Sequence, residues 1–295
     1  MGVRLHDDEL EIDAHLVRGL LRAQVPRLAD LPLTRVASTG TVHALFRLGR
    51  GLVVRLPRVP RWSGDVEREA AWLPVLAAHL SLEVPRVVAV GRPTDAYPCP
   101  WLVLRWLDGS PWSSSPPDDE RDAARRLAGL VVELRALDPA GAPGAGRRPL
   151  RQVDDETRAA LRAAADLVDA DRATEVWSDA VTGAPWQGTP VWVHADLLGP
   201  NLLVRDGRLA AVIDWGTCGV GDPASDLVPA WAVLGPAGRA ELRAALDVDD
   251  ATWVRARGIA LAQAAAIVPY YRRSHPAFAA TGVRTVEQVL ADASA

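Results

Sequence analysis

The chain contains no lysine: all 33 of its basic residues are arginine. Every side-chain cation outside histidine is therefore a planar, permanently charged guanidinium, and phosphate or carboxylate partners must be met by that fork. The bias is read as one of codon composition before one of function. Cysteine is nearly absent too. Cys99 and Cys218 stand far apart, with no CxxC or Cys/His ligand spacing around them, which excludes a disulfide framework and a zinc site and assigns both thiols to the core. No apolar run is long enough to span a bilayer. The opening segment MGVRLHDDELEID has no apolar signal stretch and carries His6 where a myristoylation motif has serine or threonine, so a reducing, cytoplasmic setting is expected, without a membrane partner. No stretch concentrates arginine with interleaved aromatics and the net charge is −4, so a nucleic-acid surface is not expected.

What is present is a globular composition, 49% hydrophobic and 24% charged over 295 residues, enough for one large or two ordinary cores. Ile12, Leu16, Leu20 and Ala23 recur at helical spacing until Pro26 ends the pattern. Short strand-like runs follow at 35–38, 42–48 and 52–56, the last two joined by Gly49-Arg50-Gly51. The chain then turns helical from Asp65 through Leu80, and strands return at 86–90 and 101–107, giving the order β-β-β-α-β-β. Ser115 as cap, Pro116 and Asp118 predict a helix start, with Leu127, Leu130, Val131, Leu134 and Leu137 on its buried face. AGAPGAG at 140–146 reads as a flexible connector, and an acidic helical segment begins near Asp154. Beyond Leu234 the pattern predicts two more helices, so the second part is mainly helical around one hairpin. Most of the 11 tryptophans are expected in the core or at a lobe interface, contact with nucleotide being the alternative for Trp106 and Trp112 near the hinge.

The chemistry concentrates between Val191 and Leu227. Asp206-Gly207 between two alternating apolar runs predicts a tight hairpin over 201–213. Asp196 and Asn201 then precede the hairpin and Asp214 follows it, so all three are expected at one end of it. Hard carboxylate and amide oxygens suit Mg²⁺, and a further carboxylate can receive a substrate proton.

The pattern His194-x-Asp196-x₄-Asn201 followed by Asp214-x-Gly216 resembles the catalytic loop and metal motif of the aminoglycoside phosphotransferase family, which shares the protein-kinase-like fold. Gly221-Asp222-Pro223-x-x-Asp226-Leu227 fits that family's pattern as well. Upstream, Ser38-Thr39-Gly40-Thr41 looks like its nucleotide-covering loop and Val53-Val54-Arg55 like its third strand. The resemblance implies an α+β, bilobal fold: a small antiparallel-sheet lobe over 1–107 that binds nucleotide, with a hinge at 105–107, and a larger, mainly helical lobe over 108–295 that carries catalysis and substrate binding.

It further implies that Asp196 is the catalytic residue, which orients or deprotonates the acceptor hydroxyl, and that Asn201 and Asp214 hold Mg²⁺ on the phosphates of ATP or GTP. Arg55 stands where most kinases carry lysine, paired with Glu69, and the backbone of Arg105 to Leu107 meets the base. Ser38, Thr39 and Gly40 cover the phosphates. The family usually has glycine where this chain has Ala195, and Pro-Gly where it has Gly199-Pro200; both changes touch backbone freedom, not ligands. Trp215 replaces a phenylalanine and is expected to pack beneath the metal. His194 is expected to brace the loop, Asp222 to brace its own loop, and Asp226 to start or cap a helix.

The implied activity is phosphoryl transfer to a hydroxyl of a small molecule, above all an aminoglycoside antibiotic, as in antibiotic resistance. Macrolides, peptide antibiotics, choline-like alcohols and sugars are alternative acceptors. A nucleotide-binding pseudokinase scaffold is the alternative of another class. The acidic clusters at 154–156, 169–171 and 247–250 are either solvated helix ends or a negative rim for a polycation.

Overall fold

The computed structural model describes residues 6–37 and 40–294. The chain divides into two compact units, one of Met1–Gly109 with Ala210–Gly216, the other of Ser110–Leu209 with Thr217–Ala295.

In the first unit, Asp13 accepts from Leu16 N–H (2.8 Å) and so caps α1 (Ala14–Gln24), and the chain leaves the helix at Val25 before Pro26. The sheet that follows is antiparallel in the order β1-β2-β3-β5-β4, built from β1 (Leu33–Arg35), β2 (His43–Leu48), β3 (Leu52–Pro57), β4 (Val87–Gly91) and β5 (Trp101–Arg105). Gly49, at φ +57°, turns β2 into β3 in register Leu48↔Leu52. β3 is buried along its whole length because β2 and β5 flank it on either side. Val17, Leu20 and Leu21 of α1 join Phe46, Val54 and Trp101 of the sheet in one core. α2 (Ser63–Leu76) buries Val66, Glu69, Leu73 and Leu76. The first strand ends three residues earlier than the sequence pattern predicts, and Ser38 lies outside the described residues.

The second unit holds α3 (Glu120–Arg135), α4 (Asp154–Ala163), α5 (Ala170–Thr182), α6 (Pro229–Ala232), α7 (Pro236–Ala245), α8 (Asp250–Tyr271) and α9 (Pro276–Asp292). β6 (Ser110–Pro111), β7 (Val191–Val193), β8 (Leu202–Arg205), β9 (Arg208–Val212) and β10 (Gly219–Gly221) complete the strands, the last three residues of β9 belonging to the first unit. β8 and β9 flank Asp206-Gly207, both at positive φ, the two-residue turn the sequence predicts. β7 pairs antiparallel with β10, which the single-hairpin expectation did not contain.

Three further expectations are corrected. α3 starts at Glu120, not after Ser115: Asp119 Oδ1 accepts from Arg121 and Asp122 N–H, while Asp118 N–H is spent on Gly207 O and Ser115 N–H on Pro111 O. Three helices follow Leu234 instead of two, because Asp247 at φ +47° and the Asp249 cap separate α7 from α8, and Pro276 opens α9. The 140–146 connector is pinned beside β10, through Val220 N–H to Pro143 O, Ala145 N–H to Val220 O and Gly146 N–H to Thr217 O (2.8, 2.9 and 3.0 Å). Among the described residues no helix is long and apolar enough to cross a membrane.

Candidate active site

Asp196 sits in the loop between β7 and β8, and that loop is fixed from below by buried polar groups. The Asp226 carboxylate, 1% exposed, accepts from the backbone N–H groups of His194 (2.9 Å) and Ala195 (2.8 Å). Asp226 therefore braces this loop from within the short helix Pro223–Leu227; it does not cap a helix. Burial pushes its carboxyl up, against the pull of His194 and the two N–H donors. His194 is fully buried, its Nδ1 accepting from Asp196 N–H at 3.2 Å, a bracing position as expected. Thr217 Oγ1 donates to His194 O. Held in this way, Ala195 adopts φ +66°, the left-handed region where glycine is favoured.

The Asp196 side chain is gripped on both oxygens. Asn201 Nδ2 donates to Oδ2 and to the Asp196 backbone oxygen, each at 2.9 Å. Gln263 Nε2 of α8 donates to Oδ1 at 2.9 Å, and Arg147 Nη2 reaches the same atom at 3.2 Å while its Nε donates to Ala195 O. Sequence reading missed Arg147 and Gln263. Gln263 does leave a trace there, as a lone amide within the apolar run 259–267. Asp222 pairs with Arg255 through both carboxylate oxygens and caps its own turn at Ala224 N–H.

Within the first unit, Arg55 of β3 is the hub of a buried charge cluster. Its Nη1 bonds Glu69 Oε2, its Nη2 bonds Asp214 Oδ1, and Nη2 also lies 3.0 Å from His43 Nδ1. Glu69 is fully buried and takes Trp215 N–H on its other oxygen at 3.2 Å. Burial opposes the Arg55 charge, but the carboxylates of Asp214 and Glu69 outweigh it and raise the guanidinium's pKa. Burial raises Glu69 despite Arg55, and burial with the Arg55 charge holds His43 well below 6.5. Trp215 is fully buried, Nε1 on Val212 O.

Asp214 keeps a third of its side chain exposed, and Asn201, whose Nδ2 is committed to Asp196, keeps its carbonyl oxygen for another partner. Hard oxygens of this kind fit Mg²⁺, which is held by one or two protein groups together with phosphate and water. Among the described residues no cluster of three or more His, Cys, Asp or Glu offers an all-protein cage.

Of the remaining predicted residues, Ser38 and Thr39 lie outside the described residues, and Gly40 directly follows them. Arg105 N–H donates to Arg86 O and Trp106 N–H to Gly51 O, so of the three hinge amides only that of Leu107 has no backbone acceptor among the described residues. Trp106 carries Arg47 over its ring at 4.0 Å. The acidic clusters are largely spent on local structure: Asp154 on Trp177 and Arg158, Glu156 on Arg148, Asp169 and Asp249 as helix caps, Asp250 on Arg243.

A cavity of about 330 Å³ lies within the second unit. Leu198, Gly199 and Pro200 of the Asp196 loop form part of its wall, as does Gln263, which ties it to the Asp196 carboxylate.

A model of the phosphotransferase enzyme family matches residues 34–259. The uncharacterized protein YcbJ of Bacillus subtilis (strain 168) is 30% identical over 199 residues, which make up 58% of this chain and 60% of that protein. The chain thus aligns with less than two thirds of that relative's length. Among solved structures, the GDP and kanamycin complex of APH(2")-IIia superposes with TM-score 0.73 at 20% identity, covering 95% of this chain and 99% of that one. A macrolide 2'-phosphotransferase type I gives 0.63 at 22% over 92% and 97%. The macrolide 2'-phosphotransferase MphH from Brachybacterium faecium gives 0.59 at 25% over 93% and 98%. With its antiparallel sheet and its many helices, the fold is α+β and protein-kinase-like. The family model spans the chain from within β1 to the middle of α8, a range that includes the Asp196 loop and the Arg55 cluster, and the chain belongs to the phosphotransferase enzyme family.

Proposed function

We propose that the chain is an Mg²⁺-dependent O-phosphotransferase that moves the γ-phosphoryl group of ATP or GTP to a hydroxyl of a small molecule. The observation that carries this reading is the Asp196 carboxylate, held in one orientation by Asn201, Gln263 and Arg147 and set on a loop braced by buried Asp226. A side chain positioned so firmly suits a reaction whose catalysis is mostly positioning and charge neutralisation.

Asp196 orients the acceptor hydroxyl and receives its proton as the oxygen attacks the γ-phosphorus. The new O–P bond forms as the bond to the β-phosphate oxygen breaks, leaving nucleoside diphosphate, phosphorylated acceptor and a proton for solvent. Residues 1–107 take the nucleotide: Arg55 meets the phosphates, Glu69 keeps its fork aimed, and the Leu107 amide meets the base edge. Residues 108–295 take the acceptor. Asn201 and Asp214 are the metal ligands, and Mg²⁺, when bound, neutralises phosphate charge. Relatives solved with GDP or ADP support a nucleotide donor. The aminoglycoside expectation rests on relatives solved with kanamycin or gentamicin, and the macrolide alternative on the macrolide phosphotransferases.

The decisive test is Asp196→Ala, assayed by acceptor-dependent release of ADP or GDP and by nucleotide titration. Turnover is expected to vanish while nucleotide binding persists; undiminished turnover overturns the role of Asp196. Asn201→Ala and Asp214→Ala are expected to weaken Mg²⁺-dependent nucleotide binding. A wild-type chain that binds nucleotide yet turns over no alcohol from a broad panel would favour the pseudokinase scaffold.

A further inference from the structure

The cavity beside the Asp196 loop has the wrong chemistry for a polycation. Among the described residues, its wall contains no aspartate or glutamate. Trp112, Trp231 and Phe278 give it aromatic faces, and Leu198, Val228 and Ile267 add aliphatic surface. A molecule with several ammonium groups would have to desolvate them against these side chains with no carboxylate in the lining to meet them.

Two acids packed behind the wall are spent elsewhere. Glu120 spends its carboxylate on the N–H groups of Gly235 (2.6 Å) and Gly238 (3.2 Å), beneath the wall. Asp292 is shared by Arg239, Arg257 and Trp253. Of the acidic clusters, Asp154, Glu156, Asp169, Asp249 and Asp250 are committed to caps, a tryptophan and arginines, as described above.

What the wall does offer is a pair of donors. Arg284 and Gln288 stand four residues apart on one face of α9, and both line the cavity. Arg284 is exposed and pairs with no acid among the described residues. Gln288 uses its oxygen to accept from Arg239 Nη2 at 2.6 Å, which leaves its amide N–H groups for another partner. A guanidinium and an amide donor side by side are a carboxylate-binding arrangement. Gln263, also in the wall, bonds the Asp196 carboxylate.

We propose that the acceptor taken by this cavity is an alcohol with an apolar or aromatic body and one carboxylate, which Arg284 and Gln288 engage while the hydroxyl is presented to Asp196. The inference rests on the phosphotransferase reading and narrows its acceptor from polycations to hydroxy acids.

The test separates binding from chemistry. Calorimetric titration of the full chain with 6-(hydroxymethyl)-2-naphthoate, its methyl ester and kanamycin reads the cavity directly. The acid is expected to bind more tightly than the ester, by up to roughly fivefold, the scale of a partly exposed ion pair, with no heat from kanamycin. Arg284→Gln, at an exposed position that spares the fold, is expected to bring acid and ester together. Tighter binding of kanamycin, equal binding of acid and ester, an acid preference that survives Arg284→Gln, or no binding by any probe overturns the proposal. A separate arm follows Mg²⁺-dependent release of ADP or GDP with the acid present. Acid preference without nucleotide binding would sink the phosphotransferase reading and leave the cavity's specificity standing. Turnover with kanamycin alone would do the reverse.

Discussion

A guanidinium buried between two carboxylates and an imidazole is stable only while all of its partners remain. Removing Arg55 leaves Glu69, fully buried, with a single backbone donor. Arg55→Met is therefore expected to cost about 3–5 kcal/mol in urea unfolding, and the double variant Arg55→Met/Glu69→Leu much less than the sum. His43 gives a pH signature. Its folded pKa lies below the ordinary 6.5, so the unfolded chain takes the proton first. The stability it contributes is complete above pH 6.5 and falls as pH drops below that value, by at most about 1.4 kcal/mol per pH unit. Glu69 and Asp226, both raised, act in the opposite direction, so the readout is a difference: between pH 7.5 and 5.5 wild type should lose more thermal stability than His43→Gln. At this scale the bond between Arg55 and Glu69 is legible only through the family resemblance, and the closeness of Asp196 to Asn201 through their local spacing. His43, Arg147 and Gln263 are not, because each acquires its meaning from a partner that only folding supplies.

Elements position the Asp196 loop from outside it. β10 runs beside the 140–146 segment, and a Cβ on Gly219 would lie 2.5 Å from Pro143 O and 2.7 Å from Ala145 N. Gly219→Ala must push that segment away and with it Arg147, whose Nε and Nη2 hold Ala195 O and Asp196. The expected outcome is a loss of about 1–3 kcal/mol in stability and a fall in kcat with little change in nucleotide affinity, measured by unfolding and steady-state kinetics. The same contrast explains what was legible among the elements. Asp206-Gly207 announces its hairpin because both residues tolerate positive φ. The start of α3 is hidden because Ser115, Asp118 and Asp119 are all competent caps, and the Gly207 carbonyl decides by engaging Asp118. A glycine-rich run likewise reads as flexible until a strand arrives beside it.

At the scale of the molecule, the order β-β-β-α-β-β and the predominance of helices thereafter follow from periodicity and turn residues. The return of Ala210–Gly216 to the first unit does not, because no local pattern marks a segment as belonging to a distant body. Glu83 exchanges backbone hydrogen bonds with Ala210 and Val212 (3.1 and 2.9 Å), Asp214 meets Arg55, and Trp215 N–H meets Glu69. A fragment ending at Gly109 is accordingly expected to show no cooperative melt by near-ultraviolet circular dichroism. The order of synthesis inherits this constraint. The nascent first unit leaves the ribosome with Arg55 short of Asp214 and the Glu83 backbone unmet, and at ~5–20 residues per second it waits roughly 5–20 s for the missing strip to be translated. During that interval its half-built charge cluster is exposed to chaperones and proteases, which makes translation speed across residues 110–216 a determinant of yield.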